Sequence, residues 1–320
     1  MKKLSLSLVA AFFFLMQAIA GYSATISVSQ FVEHPALDAV LKGFQDYLRD
    51  KGVEVTYKVH NAQANMGTAT QIAQQMVGEK ADIMMAIATP SAQTCAQALS
   101  KAPEDLKRPL LFTAVTDPVA AGLVKDLNKP GGGITGVSDL LPVEEHIKMV
   151  LSYSDRIKTL GLLYNAGEAN SKAIIGEINQ LRDKLGFQTV EATAAKTADV
   201  YQAAKSLVGR ADAVFIPTDN TIISALESVL KVGVQNKLPI FAADVDSVKR
   251  GAVAAMGFDY YKHGYQTGAV AEKILNGTRP EDIPVQFQEE LQLHINVPFS
   301  KQMGLTPPQA LLNKATKIYQ

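Results

Sequence analysis

The sequence predicts an α/β protein built from two doubly wound parallel sheets. Three observations predict it. Short β-rich runs alternate with helical runs of ten or more residues, the pattern of parallel βαβ units. The central runs, ADIMMAIA and PLLFTAV among them, are nearly all apolar, as strands covered on both faces must be. The alternation stops at a Gly-, Pro- and Ser-rich stretch, residues 130–142, and then starts afresh.

The elements follow in order. TISVSQF reads as a strand, and PALDAVLKGFQDYLRDKG as an amphipathic helix closed at Gly52. VEVTYKVH is a second strand and TATQIAQQMVGEK its helix. ADIMMAIA leads to the helix SAQTCAQALSK, and PLLFTAV is the fourth strand. PGGGITGVSDLLP then reads as a linker where the chain crosses between lobes. IKTLGLLY restarts the pattern, followed by the helix EANSKAIIGEINQLRDKLG with Gly186 at its end. FQTVEATA, ADAVFIPT, LPIFAAD and GAVAAMGFD are further strands. NTIISALESVLKVGVQNK is a helix that Asp219 or Asn220 caps. YYKHGYQTGAVAEKILNG is a late helix, and VQFQEELQLHINV is strand-like.

The first residues read as an export signal. MKK is a positive n-region and LSLSLVAAFFFLM an apolar h-region, too short to span a bilayer. Cleavage sites follow at Ala18-Ile19-Ala20 and, with a bulkier first residue, at Tyr22-Ser23-Ala24, so residues 1–24 are assigned to the signal peptide. With no cysteine near either site, lipid anchoring is excluded, and a soluble periplasmic protein is expected. Lys+Arg and Asp+Glu are both 31, so bulk charge points to no nucleic-acid partner and no anionic membrane surface. Cys95 is the only cysteine and has no partner for a disulfide; in SAQTCAQAL it reads as a small buried hydrophobe.

Parallel sheets bind ligands beyond the carboxyl ends of their strands. Those ends are polar throughout. They offer Phe31, Glu33 and His34; Thr89 and Ser91; Ala114, Thr116 and Asp117; Tyr164, Asn170 and Ser171; Asp219 and Asn220; and Asp244 with Asp246. Each opens a helix or turn, where free N–H groups and partial positive charge hold an anion with hydroxyl help. Ser, Thr, Asp and Asn also cap helices for purely local reasons. What favours a shared cleft is six such ends in two similar halves. Phe31 and Tyr164 are the candidate aromatic walls, because the chain has no Trp.

No catalytic signature accompanies these residues. G-x-S-x-G, H-E-x-x-H, the P-loop and G-x-G-x-x-G after a first strand are all absent. The histidines, at 34, 60, 146, 263 and 294, have no ligand spacing, so neither a metal nor another cofactor is expected. Asp244 and Asp246, with His34, would be the acid–base groups of a periplasmic enzyme, the minor reading.

Together QFVEHPALDAVLKGF, AIATPSAQ, FTAVTDPVAAGLV, GVSDLLPVEEHI, LLYNAGEANS, PTDNTIISALE and ADVDSVKRGAVAAMGFDYY resemble the substrate-binding proteins of ABC transporters, and more narrowly the tryptophan/tyrosine-binding group. The resemblance runs from about residue 25 to 305. It departs at NAGEANS, where Ala166 stands in place of the pattern's proline. It implies the type I periplasmic-binding-protein fold: two Rossmann-like lobes, three crossings and a cleft that closes on ligand. By that topology residues 25–138 and about 260–282 form the first lobe, and 139–259 and about 283–320 the second. The implied ligand is an aromatic amino acid, and the implied partners are an ABC permease and its ATPase, served by a monomer. The alternative partner is a membrane receptor that reads the protein as a ligand sensor. The export signal excludes the cytoplasmic repressor relatives of this fold.

Overall fold

A computed structural model describes residues 23–320. The predicted signal peptide therefore lies outside the described residues, apart from its last two positions.

Six strands form the first sheet: β1 (Ala24–Gln30), β2 (Val55–Asn61), β3 (Ile83–Ile87), β4 (Leu110–Val115), β5 (Ile134–Ser138) and β11 (Gln286–Phe287). Their order is β11-β5-β4-β3-β1-β2, and every pairing is parallel. Four strands form the second: β6 (Thr159–Tyr164), β7 (Gln188–Thr193), β8 (Ala213–Ile216) and β9 (Ile240–Ala242), ordered β7-β6-β8-β9 and again parallel. A small sheet continues this half. In it β10 (Ala254–Gly257) runs antiparallel to β12 (Gln292–Asn296), which pairs in parallel with β13 (Lys317–Tyr319). Each half has its own apolar core. Phe44, Phe112 and Met85 are fully buried in the first, and Phe215, Phe241 and Leu162 in the second.

The helix Tyr260–Leu275 returns to the first half and packs on Pro35–Asp50. The two backbones nearly touch. A Cβ on Gly264 would lie 1.9 Å from the Val40 carbonyl oxygen, so this contact admits only glycine.

Three sequence expectations change. The stretch read as a linker, 130–142, contains β5: three glycines at positive φ, Gly131 to Gly133, turn the chain into a strand whose ITGVS is mostly buried. The single helix expected over 220–237 breaks at Ala225 into Asn220–Ser224 and Leu226–Asn236. VQFQEELQLHINV is not one strand. Its first residues, in β11, pair with β5 in the first sheet, and its last, in β12, pair with β10 in the second half. The third crossing therefore falls beyond Phe287 rather than at 283. Five α-helices among the described residues were not foreseen: Val143–Leu151, Val200–Lys205, Val245–Arg250, Val297–Gln302 and Gln309–Leu312.

Candidate functional site

The carboxyl ends of both parallel sheets face one cavity. Its walls include His34, Ala114 and Thr116 from the first half, and Asn170, Asp219 and Asp244 from the second. Asp139 and Tyr260 also line it, from the first two crossings.

The end of β4 shows how the backbone builds this wall. The β4–β5 register shifts between Thr113 and Val115, and Ala114 sits in the left-handed region at φ 52°. This bulge turns Ala114 into the cavity. Its N–H donates to Nε2 of His263 at 3.1 Å. His263 is fully buried, and burial holds its pKa down at about 4, so the ring is neutral and accepts.

Thr116 follows the bulge. Its hydroxyl donates to Asp139 Oδ1 at 3.0 Å and lies 2.9 Å from the hydroxyl of Thr218, in the second half. Asp139 Oδ2 accepts from the Tyr260 hydroxyl at 2.8 Å. A hydrogen-bonded chain thus runs Tyr260–Asp139–Thr116–Thr218, from the crossings to the far wall. Asp139 is buried, and burial raises its pKa above the usual carboxylate range.

The far wall rests on buried carboxylates. Asp219 caps Asn220–Ser224: Oδ1 accepts from Ile222 N–H, and Oδ2 accepts from Asn165 N–H and the Ser171 hydroxyl. Burial, and then Glu168 nearby, raise its pKa. Glu168 accepts from the N–H groups of Asn220 and Thr221 and from both their side chains. Asp244 caps Val245–Arg250, accepting the Ser247 N–H at Oδ1 and its hydroxyl at Oδ2, and burial raises its pKa as well. Asn170 donates to Thr218 O and to Glu168, which leaves its own Oδ1 buried without a partner. His34, at the start of Pro35–Asp50, is held neutral at about 4 by burial and then by the Arg250 charge; its Nδ1 is also unpartnered. The departure at Ala166 leaves its loop well tied, since Asn165 Oδ1 accepts the Gly167 N–H.

Of the predicted residues, Ala114, Thr116, Asn170, Asp219, Asn220 and Asp244 line the cavity. Others do not. Phe31 is in the first core, and Tyr164 is in the second with its hydroxyl on Glu191. Neither lines the cavity, whereas Tyr260 does. Glu33 points to solvent. Asp117 caps its own turn through the N–H groups of Val119 and Ala120. Ser91 meets Ser29 and Ser171 meets Asp219, both behind the wall. Thr89 is buried with no partner for its hydroxyl. Asp246 is pushed up to about 6, by burial first and then by Asp244. Sequence reasoning missed Asp139 and Tyr260, and it placed Thr218 and Glu168 at strand ends without singling them out. The first stands at the end of a strand, as do the foreseen residues, but that strand was read as linker.

Among the described residues no group of His, Cys, Asp and Glu is placed to hold a metal ion, and no helix is long and apolar enough to cross a membrane.

Comparison with known proteins follows the same lines. The family model of ABC transporter substrate binding proteins matches residues 25–319. A tyrosine-binding protein of Clostridioides difficile is 42% identical over 275 residues, which is 85% of this chain and 78% of that one. The structure superposes on a Streptococcus pneumonia ABC domain in complex with L-Trp with a TM-score of 0.87, at 32% identity, over 92% of this chain and 99% of that one. Against the ligand-free, open structure of a substrate binding protein with adhesive properties from Clostridium difficile the TM-score is 0.67, at 36% identity, over 93% and 99% of the two chains. The better fit, despite lower identity, is to the neighbour in complex with L-Trp rather than to the ligand-free, open one.

Proposed function

Because the chain belongs to the ABC transporter substrate binding protein family, we propose that it captures an aromatic amino acid between two closing lobes and hands it to a membrane permease. Delivery to a permease is the role of this family, and its members work outside the cytoplasm. The periplasm, a cleaved leader, a monomeric state and a dedicated ATPase belong to the same proposal. So does the absence of catalysis, with the carboxylates of the cavity used as helix caps and acceptors.

One observation carries the ligand class. The cavity is lined by three aspartates, Asp139, Asp219 and Asp244, and by no lysine or arginine. Such a wall recognises a ligand with a positive group and rejects a pure anion. The relative named for tyrosine and the neighbour with bound L-Trp support a zwitterion with an aromatic side chain. Its ammonium faces the aspartates. Its carboxylate faces the carboxyl edge of the first sheet, where β3 and β4 run side by side and the helix Thr89–Lys101 opens just after β3.

Calorimetry with L-tyrosine, L-tryptophan and L-phenylalanine tests this directly. At least one binds in the micromolar range or tighter, about −8 kcal/mol. Tight binding of a sugar or nucleoside, with no response to the three amino acids, would sink the proposal. The sensor reading separates from the importer reading by uptake: deleting the protein abolishes transport of its ligand only in the second case.

A further inference from the structure

We propose that Asp139 and Asp244 form a two-carboxylate receptor for the ligand's ammonium group, in which one carboxylate carries a proton while the cleft is empty and gives it to solvent when the ammonium arrives. The proposal rests on the preceding reading of the ligand as an amino acid, and adds to it how the positive group is read and what binding does to protons.

The geometry carries it. Asp139 comes from the first crossing and Asp244 from the second half, and both line the same cavity. Both are buried, at 3% and 4% exposure. Each has one donor per oxygen: Thr116 and Tyr260 on Asp139, Ser247 N–H and hydroxyl on Asp244. A carboxylate oxygen accepts two hydrogen bonds, so both aspartates keep free acceptor capacity. Asp219 has less, with three donors already in place. Asn170 Oδ1 adds a third free acceptor to the cavity.

The surrounding charges do not neutralise the pair. Arg250 lies on the helix that Asp244 caps, and its charge lowers the Asp244 pKa less than burial raises it; its guanidinium holds Glu227 with two bonds of 2.8 Å and the Ile223 carbonyl with a third. His34 is neutral. Tyr260 donates a neutral hydroxyl. Asp246 adds negative charge, and Asp219, whose pKa burial and then Glu168 raise, offers the pair no positive charge. Two buried like charges facing one cavity repel strongly, and the simplest relief without a ligand is protonation of one. The raised pKa values of both groups agree with this, burial being the first cause for each, and the Asp244 charge is among the causes for Asp139. An ammonium between them supplies the same relief, so proton and ligand compete. Affinity then rises with pH through the raised carboxylate pKa and levels off above it.

The test is calorimetry of L-tyrosine in pairs of buffers with different ionisation heats, from about pH 5 to about pH 8. The expected result is net proton release, approaching one per ligand at the acid end and fading toward neutrality. Asp139→Asn keeps an acceptor for Tyr260, so it is expected to fold. It should bind tyrosine about 10–150-fold more weakly, with the proton release lost. The deaminated analogue, which lacks the ammonium, should bind the variant no worse than the parent. Asp244→Asn gives an independent second variant with the same expected loss. Binding of tyrosine with the same heat in every buffer would overturn this proposal alone. Failure of all three aromatic amino acids to bind would overturn the ligand assignment and this proposal with it.

Discussion

The hydroxyls of Thr116 and Thr218 lie 2.9 Å apart across the cleft, one from each half of the molecule. The same Thr116 hydroxyl donates to Asp139 at the first crossing. Closing the cleft therefore completes a hydrogen-bonded chain that begins at the hinge. A neutral hydrogen bond of this kind is worth about 0.5–1.5 kcal/mol. Thr218→Val should accordingly weaken ligand binding by about 2–12-fold, mostly through faster release. Small-angle scattering should still show a smaller radius of gyration with saturating ligand. Unchanged affinity in the variant would show that the contact plays no part in closure.

Glu168 is the hidden support of the far wall. Its carboxylate accepts two backbone N–H groups at the start of Asn220–Ser224, together with the side chains of Asn170, Asn220 and Thr221. Glu168→Gln replaces one acceptor oxygen with a donor that faces other donors. Loss of buried charge-assisted bonds should cost about 2–4 kcal/mol of stability. Thermal melting of the ligand-free protein checks this; a melting temperature within a degree of the parent would count against the role.

Acid should destabilise the fold through buried histidines. Burial pushes His34, His146 and His263 down to about 4. A base whose folded pKa is depressed contributes stability above its unfolded value of about 6.5, and loses it as pH falls toward about 4. A tenfold difference in proton affinity between the folded and unfolded chain is worth about 1.4 kcal/mol, so these groups should make the protein markedly less stable at about pH 4.5 than at about pH 7. The raised aspartates work the other way: they favour the fold at low pH and lose that advantage as pH rises through their folded values. The direct check is NMR. The ring signals of His146 and His263 should stay in the neutral form from about pH 8 down to about pH 5. Titration near 6.5, the ordinary histidine value, would contradict the buried, neutral assignment.

Export should leave Ala24 on the mature chain. Ala24 is the first residue of β1, pairs with Val55, and donates its N–H to Glu54 O at 3.0 Å. Cleavage after Ala20 keeps this ladder whole, whereas cleavage after Ala24 removes its first rung. N-terminal sequencing of the exported protein should begin at Gly21. A start at Thr25 would show that the rung is dispensable, and an intact Met1 in the membrane fraction would remove the leader altogether.

The strand ends of βαβ units were legible in the chain because local chemistry writes them. ADIMMAIA-TPS, TLGLLYN and ADAVFIPTDN each switch from apolar to capping residues within a few positions, and each switch marks a sheet's carboxyl edge. That rule found Thr116, Asn170, Asp219, Asn220 and Asp244. It failed where local signals conflict. The glycines of PGGG mask β5, so Asp139 at its end went unseen. It also failed for Phe31 and Tyr164, whose side chains turn inward to the cores, because a strand's end does not reveal which way its last ring faces.

By itself, then, the sequence determined the α/β class, the restart that makes two halves, the run of capping residues at the strand ends and the absence of catalytic motifs, all properties of neighbours along the chain. Only the tertiary structure decided the rest. The Tyr260–Leu275 helix seats on Pro35–Asp50 because Gly264 lets its backbone approach Val40. Tyr260 and Asp139, 121 positions apart in the chain, join Thr116 and Thr218 in one hydrogen-bonded chain. Asp139 and Asp244 face the same cavity. These are contacts between residues far apart in sequence, and their energy depends on distance and burial, which no local pattern encodes.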